Sequence, residues 1–433
     1  MNPKWTFRRA WPFGLVLLAL FGAVIYLFRA PHPASVPPAP ATARALQGAS
    51  LPLDSLGAGQ AAEATLRKAL SSGANAAARR DLGLSLARQG RLDEAAKELE
   101  RAVAADSGDA DACADLGLVY AMQNRSDAAV RAFQRAVRLN PNHARAHHHL
   151  GAAHAAAGRY PEAEAAFRRA IRARPDLAEA HADLGRVLAL QGKGPEAEAA
   201  CRKALELAPD APGVLADLAS VCAGQGKLSE AEALFRRAVA ADPKDPGPHL
   251  GLGEVLAASG RPADALEAFG KAVELAPDRP DLRLKLGLVL MQQGRPSEAA
   301  EAFRRAVALN PGAVEAHHHL GVACAQQGQA DSAAAAFQRA IRLRPDYAPA
   351  HAGLGLLCQK MGKTEEAIAL YEKLLALDPR VPHIRNDLGA LYANRGDLPK
   401  AVAIWREALR ADPSDARVKA NLERAEKLLS ERR

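Results

Sequence analysis

Histidine is the residue whose spacing in this chain first suggests chemistry. Two triplets, His147-His148-His149 and His317-His318-His319, stand five 34-residue periods apart, and imidazole is the commonest side chain to ligate transition metals. On a helix, neighbouring residues point about 100° apart, so three in a row cannot converge on one ion. The i, i+4 pair His143 and His147 is the better local metal candidate. Carboxylates recur at the same period: Asp81, Asp115, Asp183, Asp217 and Asp387 share a phase with His149, His319 and Lys285. The five cysteines, Cys113, Cys201, Cys222, Cys324 and Cys358, form no C-x-x-C pair and no zinc spacing, and their odd number leaves at least one unpaired within the chain.

The period belongs to the elements that must carry these residues. Leu-Gly recurs at Leu82-Gly83, Leu116-Gly117, Leu150-Gly151, Leu184-Gly185, Leu252-Gly253, Leu286-Gly287, Leu320-Gly321, Leu354-Gly355 and Leu388-Gly389, and Leu218-Ala219 fills the gap. Counting Ala76 as place 1 of the first repeat, place 20 is Ala in all ten repeats, from Ala95 to Ala401. Place 24 carries Phe133, Phe167, Phe235, Phe269, Phe303, Phe337, Tyr371 and Trp405, with Leu99 and Cys201 in the other two. Small residues let two helices approach to about 8 Å, and the ring fills the space between them. Gly90 and its successors to Gly396 hold place 15 in nine repeats, with Asn124 in the second, where a left-handed residue can close a first helix. Pro holds place 32 in nine repeats, Pro141 through Pro413, and Ser107 departs from it. Proline lacks an N–H and separates each repeat from the next.

With these columns the chain resembles the tetratricopeptide repeat family, whose unit is two antiparallel helices. The resemblance implies an all-α fold, a right-handed superhelix of ten repeats starting at 76, 110, 144, 178, 212, 246, 280, 314, 348 and 382. Terminal helices over 59–75 and 416–433, the latter with its apolar stripe Val418, Leu422, Ala425 and Leu429, would cap the ends. It also implies that first helices line a concave groove through places 2, 5, 6, 9, 12 and 13. Asp81, Asp115, His148, His149, Asp183, Asp217, Lys285, His318, His319 and Asp387 are then the candidate partner-binding residues. The acidic column admits two readings, a floor that favours basic or hydrogen-bond-donating ligands and a row of solvated polar residues. A basic clamp for a chaperone tail has only isolated candidates, Arg80, Arg145 and Lys285, and Lys285 is expected to pair with Asp281 on its own helix. His149 is expected beside Asp115 and Asp183, a setting for a pH response. Most place-4 histidines, His147, His181, His249, His317 and His351, suit half-buried packing. Cys201 and Cys222 fall on helices expected to touch, so a disulfide is conceivable there if the body is exported.

The net charge of +8 permits anionic partners, but it can be dispersed over ten repeats. Basic place 26 is diluted by acidic place 19 and has no interleaved aromatic residues for base stacking, so nucleic acid is not an expected partner. With aromatics at 4% and Ala abundant, close-packed helices are favoured over sheets. Once the repeats, caps and the N-terminal anchor and spacer described below are assigned, nothing remains large enough to house a nucleophile, acid–base pair or phosphate loop. No catalytic residue, cofactor, metal or small-molecule substrate is expected; the partners are proteins or peptides, and the protein reads as a non-enzymatic scaffold. The alternative is a substrate-targeting subunit for a separately encoded enzyme, such as a protein glycosyltransferase.

Ahead of the repeats, Ala10–Phe28 runs without a charge between the basic residues of 1–9 and Arg29, long enough to span a bilayer as a single transmembrane helix. The positive excess upstream predicts a cytoplasmic N-terminus. Residues 29–58, rich in Pro and Ala, read as a spacer. The expectation is a bacterial inner-membrane protein, single-pass, with its repeat body in the periplasm.

Overall fold

A computed structural model describes residues 56–71, 75–381 and 383–431 of the chain. The expected membrane span over 10–28 and the spacer up to residue 55 lie outside the described residues. Among the described residues no helix is long and apolar enough to cross a membrane, and 22 helices occur without a strand.

The chain divides into two compact units at Pro243 and Lys244. The first holds α1 (Leu56–Ser71), α2 (Ala76–Arg88), α3 (Leu92–Ala105), α4 (Ala110–Met122), α5 (Ser126–Leu139), α6 (Ala144–Ala156), α7 (Tyr160–Ala173), α8 (Ala178–Leu190), α9 (Gly194–Leu207), α10 (Pro212–Gly224) and α11 (Leu228–Ala241). The second holds α12 (Pro246–Ala258), α13 (Pro262–Leu275), α14 (Pro280–Gln292), α15 (Pro296–Leu309), α16 (Val314–Gln326), α17 (Ala330–Leu343), α18 (Ala348–Lys360), α19 (Thr364–Leu377), α20 (Ile384–Arg395), α21 (Leu398–Ala411) and α22 (Ala416–Glu431). From α2 on, even-numbered helices up to α20 are the first of a pair and odd-numbered the second. Within each unit a first helix packs on its own second helix and on the second helix before it.

Turn chemistry explains the pairing. Place 15 has positive φ in every repeat, as in Gly294 at 69° and Asn124 at 59°. Its amide and the next reach back to the last carbonyls of the first helix, for example Gly90 N to Ala87 O and Arg91 N to Leu86 O, both 3.0 Å. The tenth pair differs: α20 begins at Ile384 rather than at place 1, after His383 at φ 68°.

The core repeats one contact. A Cβ added at Gly287 would lie 2.5 Å from Phe303 Cε1, at Gly253 2.7 Å from Phe269 Cε1, and at Gly389 2.5 Å from Trp405 Nε1. Place 8 is glycine because the place-24 ring of the same repeat lies against its backbone. The rings are sealed: Trp405, Phe269 and Phe303 are fully buried. In the fourth repeat Cys201 takes the ring's place and is buried too, against Gly185.

Between neighbouring helix pairs of the first unit, buried Glu164 and half-buried Glu63 and Glu198 act as clamps. Glu63 accepts from Arg67, Gln89 and Arg91 at 2.9, 3.2 and 2.8 Å. Glu164 accepts from Gln191 and Lys193 of the next repeat, both at 2.8 Å, and from Arg168 of its own. Glu198 repeats the motif with Lys227 at 2.6 Å and Arg202 at 2.8 Å. The hydrogen bond from Lys227, then that from Arg202, pulls the Glu198 carboxyl down to about 2.

Candidate interaction surface on the first helices

The charged residues of the first helices are not spread freely along a groove floor. Several join one repeat to the next, at two offsets. Place 5 reaches place 6 of the following repeat, 35 residues on: Arg80 Nε donates to Asp115 Oδ2 at 2.6 Å, His148 Nε2 lies 2.7 Å from Asp183 Oδ2, and Asn421 Nδ2 donates to Asn386 Oδ1 at 3.0 Å. Place 9 reaches place 6 of the following repeat, 31 residues on: Arg186 Nε stands 3.4 Å from Asp217, and Glu254 3.0 Å from Lys285 Nζ. Arg186 also pairs with Asp183, so His148, Asp183, Arg186 and Asp217 form one polar chain through three repeats. Asp115 and Asp183 are buried, and an unpaired carboxylate there would pay its full desolvation cost.

These contacts correct several expectations. Asp115 and Asp183 are not solvated. Lys285 bonds Glu254 rather than Asp281, which Arg279 holds at 2.5 Å. His148, not His149, meets Asp183. His149 instead stacks on Phe133, ring centroids 5.4 Å apart and planes 27° apart, and in the second unit His319 lies on Phe303 at 5.7 Å and 25°. His148 and His318 lie against the next rings, Phe167 at 5.6 Å and Phe337 at 5.7 Å. Burial lowers all four imidazoles, His148 to about 4, His149 to about 3 and His319 to about 4, with His318 well below its usual range. All four are neutral at pH 7; His148 and His318 are buried, and His149 and His319 are half-buried. Asp81 is exposed, Asp387 accepts from Asn386 Nδ2 at 3.4 Å, and Asp81, His149 and His319 have no hydrogen-bond or ion partner among the described residues.

The proposed metal pair is also engaged elsewhere. His143 caps α6, its Nδ1 accepting from Ala146 N at 3.1 Å while Nε2 faces Asp111 at 3.0 Å. His147 Nε2 bonds the carbonyl of Pro141 at 2.9 Å. That bond is a rule of place 4: His181 meets Pro175, His317 Pro311 and His351 Pro345 at 2.9 to 3.0 Å. Arg283 and Arg385 do the same with Pro277 and Pro379. The imidazoles thus satisfy a carbonyl left bare where the chain passes between repeats. All five cysteines are free and buried, Cys201 and Cys222 included. Glu198, Cys222 and Glu230 come close enough to share an ion, but Arg202 and Lys227 already hold both carboxylates, at 2.6 to 2.8 Å.

The place-9 residues Arg186 and Glu254 are the interaction residues that sequence reading missed. Opposite charges at offset 31, place 9 to place 6, are the signal that marks them.

Helix pairs recurring every 34 residues, joined by core contacts and polar latches that repeat with the pair, define an α-helical repeat protein. Three family models agree on which kind. Tetratricopeptide repeat models match residues 55–110, 114–178 and 153–212, and 188–252, and the Cilia and flagella-associated protein 70 C-terminal domain matches 249–432. Over 55–110 and 114–252 the chain thus matches tetratricopeptide repeats, a family whose members generally mediate protein–protein interactions. Similar solved structures include YrrB, described as a TPR protein with an unusual peptide-binding site, at 25% identity over 45% of this chain and 97% of that one, TM-score 0.39. The APC/C hetero-tetramer Cut9-Hcn1 is 17% identical over 84% and 92%, TM-score 0.42. The C-terminal part of a TPR repeat-containing protein from Cytophaga hutchinsonii is 17% identical over 55% and 98%, TM-score 0.47. Comparison with the curated proteins found no match.

Proposed function

We propose that this protein is a non-catalytic scaffold that holds proteins or peptides along its first helices while an N-terminal helix tethers it to the bacterial inner membrane, the repeats facing the periplasm. The observation that carries the binding role is the division of labour within each helix pair. The bulk of the second helix is spent on the core, as in fully buried Phe303 and Trp405, whereas the first helices carry polar groups at places 5, 6 and 9, among them exposed Asp81, which has no partner among the described residues. Since many of those groups are already paired, a ligand gains little from a formal charge. The surface suits an extended segment of mixed or low charge that engages unpaired groups such as Asp81 and the edges of His149 and His319. The tether rests on the uncharged run Ala10–Phe28 and its basic flank.

Protease accessibility in intact cells and spheroplasts tests the topology, and cross-linking with mass spectrometry from the first helices tests the binding role. Cleavage of the repeat body only after the outer barrier is opened is the expected result; protection in spheroplasts would reverse the orientation. Cross-links that gather on the first helices support the scaffold, and an enzyme captured with its substrates would assign the protein to substrate targeting. Cross-links confined to the second helices would remove the binding role from the first.

A further inference from the structure

Two repeats, the second and the fifth, carry no long polar side chain at place 4. In the second repeat that place is Cys113, too small to reach the preceding carbonyl, and the carbonyl belongs to Ser107 where Pro stands elsewhere. Arg135 Nη2, from place 26, donates to Ser107 O at 2.9 Å instead. The fifth repeat makes the same exchange, Arg237 bonding Pro209 O, but there place 4 is Leu215, which is buried and fills the space. Beside Cys113 the space stays open, as a cavity of about 270 Å³ whose lining includes Val103, Cys113, Leu116 and Ala132. The pocket opens to solvent, and its volume is enough for a phenyl ring with a short chain.

Three arginines, Arg125, Arg131 and Arg135, also line the cavity. No carboxylate pairs with any of them among the described residues, although Arg91, Arg168 and Arg202 elsewhere in the unit each hold glutamates. Arg125 lies 4.3 Å above the Tyr120 ring, and that tyrosine's hydroxyl is turned away to donate to Glu100 at 2.7 Å. Arg131 is exposed and makes no hydrogen bond or ion pair with a described residue. Uncompensated guanidiniums around an apolar hollow complement an anion with an apolar body.

We propose that this cavity binds a monocarboxylate carrying a phenylalkyl-sized apolar body, its ring against Val103, Cys113 and Leu116 and its carboxylate among Arg125, Arg131 and Arg135. The sequence reading expects no small-molecule substrate, and the site is a binding site rather than a reaction centre. A ligand seated between α3, α4 and α5 would join the first two repeats and stiffen that end of the first unit.

Calorimetric titration of the full-length chain with 3-phenylpropionate tests the proposal, with 3-phenylpropanol and acetate as ligands lacking the charge or the body. 3-Phenylpropionate should bind, and both controls should bind at least about tenfold more weakly. Cys113→His, the residue type that fills place 4 in five other repeats, should abolish binding. Arg131→Gln, at an exposed and unpartnered position where folding is not at stake, should weaken it by about tenfold. No binding of 3-phenylpropionate, or equal binding by wild type and Arg131→Gln, would overturn the proposal even if Cys113→His failed to fold.

Discussion

Two glycines in the second unit should respond in opposite directions to the same methyl group. Gly270 lies inside α13, and a Cβ built on it meets nothing within 4 Å. Gly270→Ala should therefore show the bare helix-propensity gain, about 0.8–1 kcal/mol. Gly287 lies inside α14, where the added Cβ would sit 2.5 Å from Phe303 Cε1 and 2.8 Å from Cδ1 and Cζ. Phe303 is fully buried, so its ring must move by roughly 1 Å into packed neighbours. Overpacking by one methyl costs about 1–3 kcal/mol, so after the propensity gain Gly287→Ala should be destabilised by up to about 2 kcal/mol. A ten-repeat array need not unfold in one step, so the readout is amide hydrogen exchange of α14 and α15 beside urea unfolding followed by circular dichroism. Phe303→Leu, costly alone, should recover part of the loss when combined with Gly287→Ala, because the leucine leaves room for the methyl. If Gly287→Ala stabilises as much as Gly270→Ala, the glycine column is not set by ring contact, and the account of the core fails.

The remaining predictions concern the polar latches. Asp183→Ala removes the acceptor shared by buried His148 and Arg186, and should cost about 1.5–3 kcal/mol in urea unfolding; Asp217→Ala, at a partly exposed pair, should cost under about 1. Equal losses would mean that the place-6 acids are not distinguished by burial. Acid unfolding should occur in two windows. His149 is lowered from 6.5 to about 3 by burial, so its contribution is full above about 6.5 and is lost as pH falls toward 3. His149→Phe should leave stability at pH 7 nearly unchanged and flatten that window. Glu198 is lowered from 4.5 to about 2, chiefly by Lys227, so its contribution is present above about 4.5 and lost between there and 2. Glu198→Gln should remove it, by roughly 1–2 kcal/mol once solvent screening is allowed for; an unchanged acid limb in either variant contradicts the assignment.

The repeat and its core were legible because they rest on contacts within one pair. Gly253 and Phe269 are always 16 residues apart, so a small column and a large column in the sequence are enough to place one against the other. Gly90 and its successors were legible because a left-handed turn restricts residue type by sterics alone. The latches were not. Lys285 has Asp281 four residues before it on the same helix, a spacing worth only about 0.3–0.5 kcal/mol, and the nearer Arg279 takes that acid while Glu254 of the preceding repeat takes the lysine. Which of two neighbours an arginine or lysine reaches depends on rotamer and helix crossing, and neither is written in a single column. His148 and His149 show the same limit: adjacent in sequence and alike in type, they part because one faces Asp183 and the other the Phe133 ring.

That parting bears on how a partner would be recognised. A groove floored with free aspartates would bind basic peptides through charge, and its affinity would fall steeply with salt. Here Asp115 and Asp183 already hold Arg80, His148 and Arg186, so an incoming lysine must displace an internal cation from a buried carboxylate and leave it stranded. The gain at the new pair is then nearly cancelled by the loss of the old one. Partner affinity, measured by titration of a segment captured in cross-linking, should change by less than about threefold between 50 and 300 mM salt. A loss of tenfold or more would show that the ligand reads exposed charge, and would shift attention from the latched acids to unpaired Asp81.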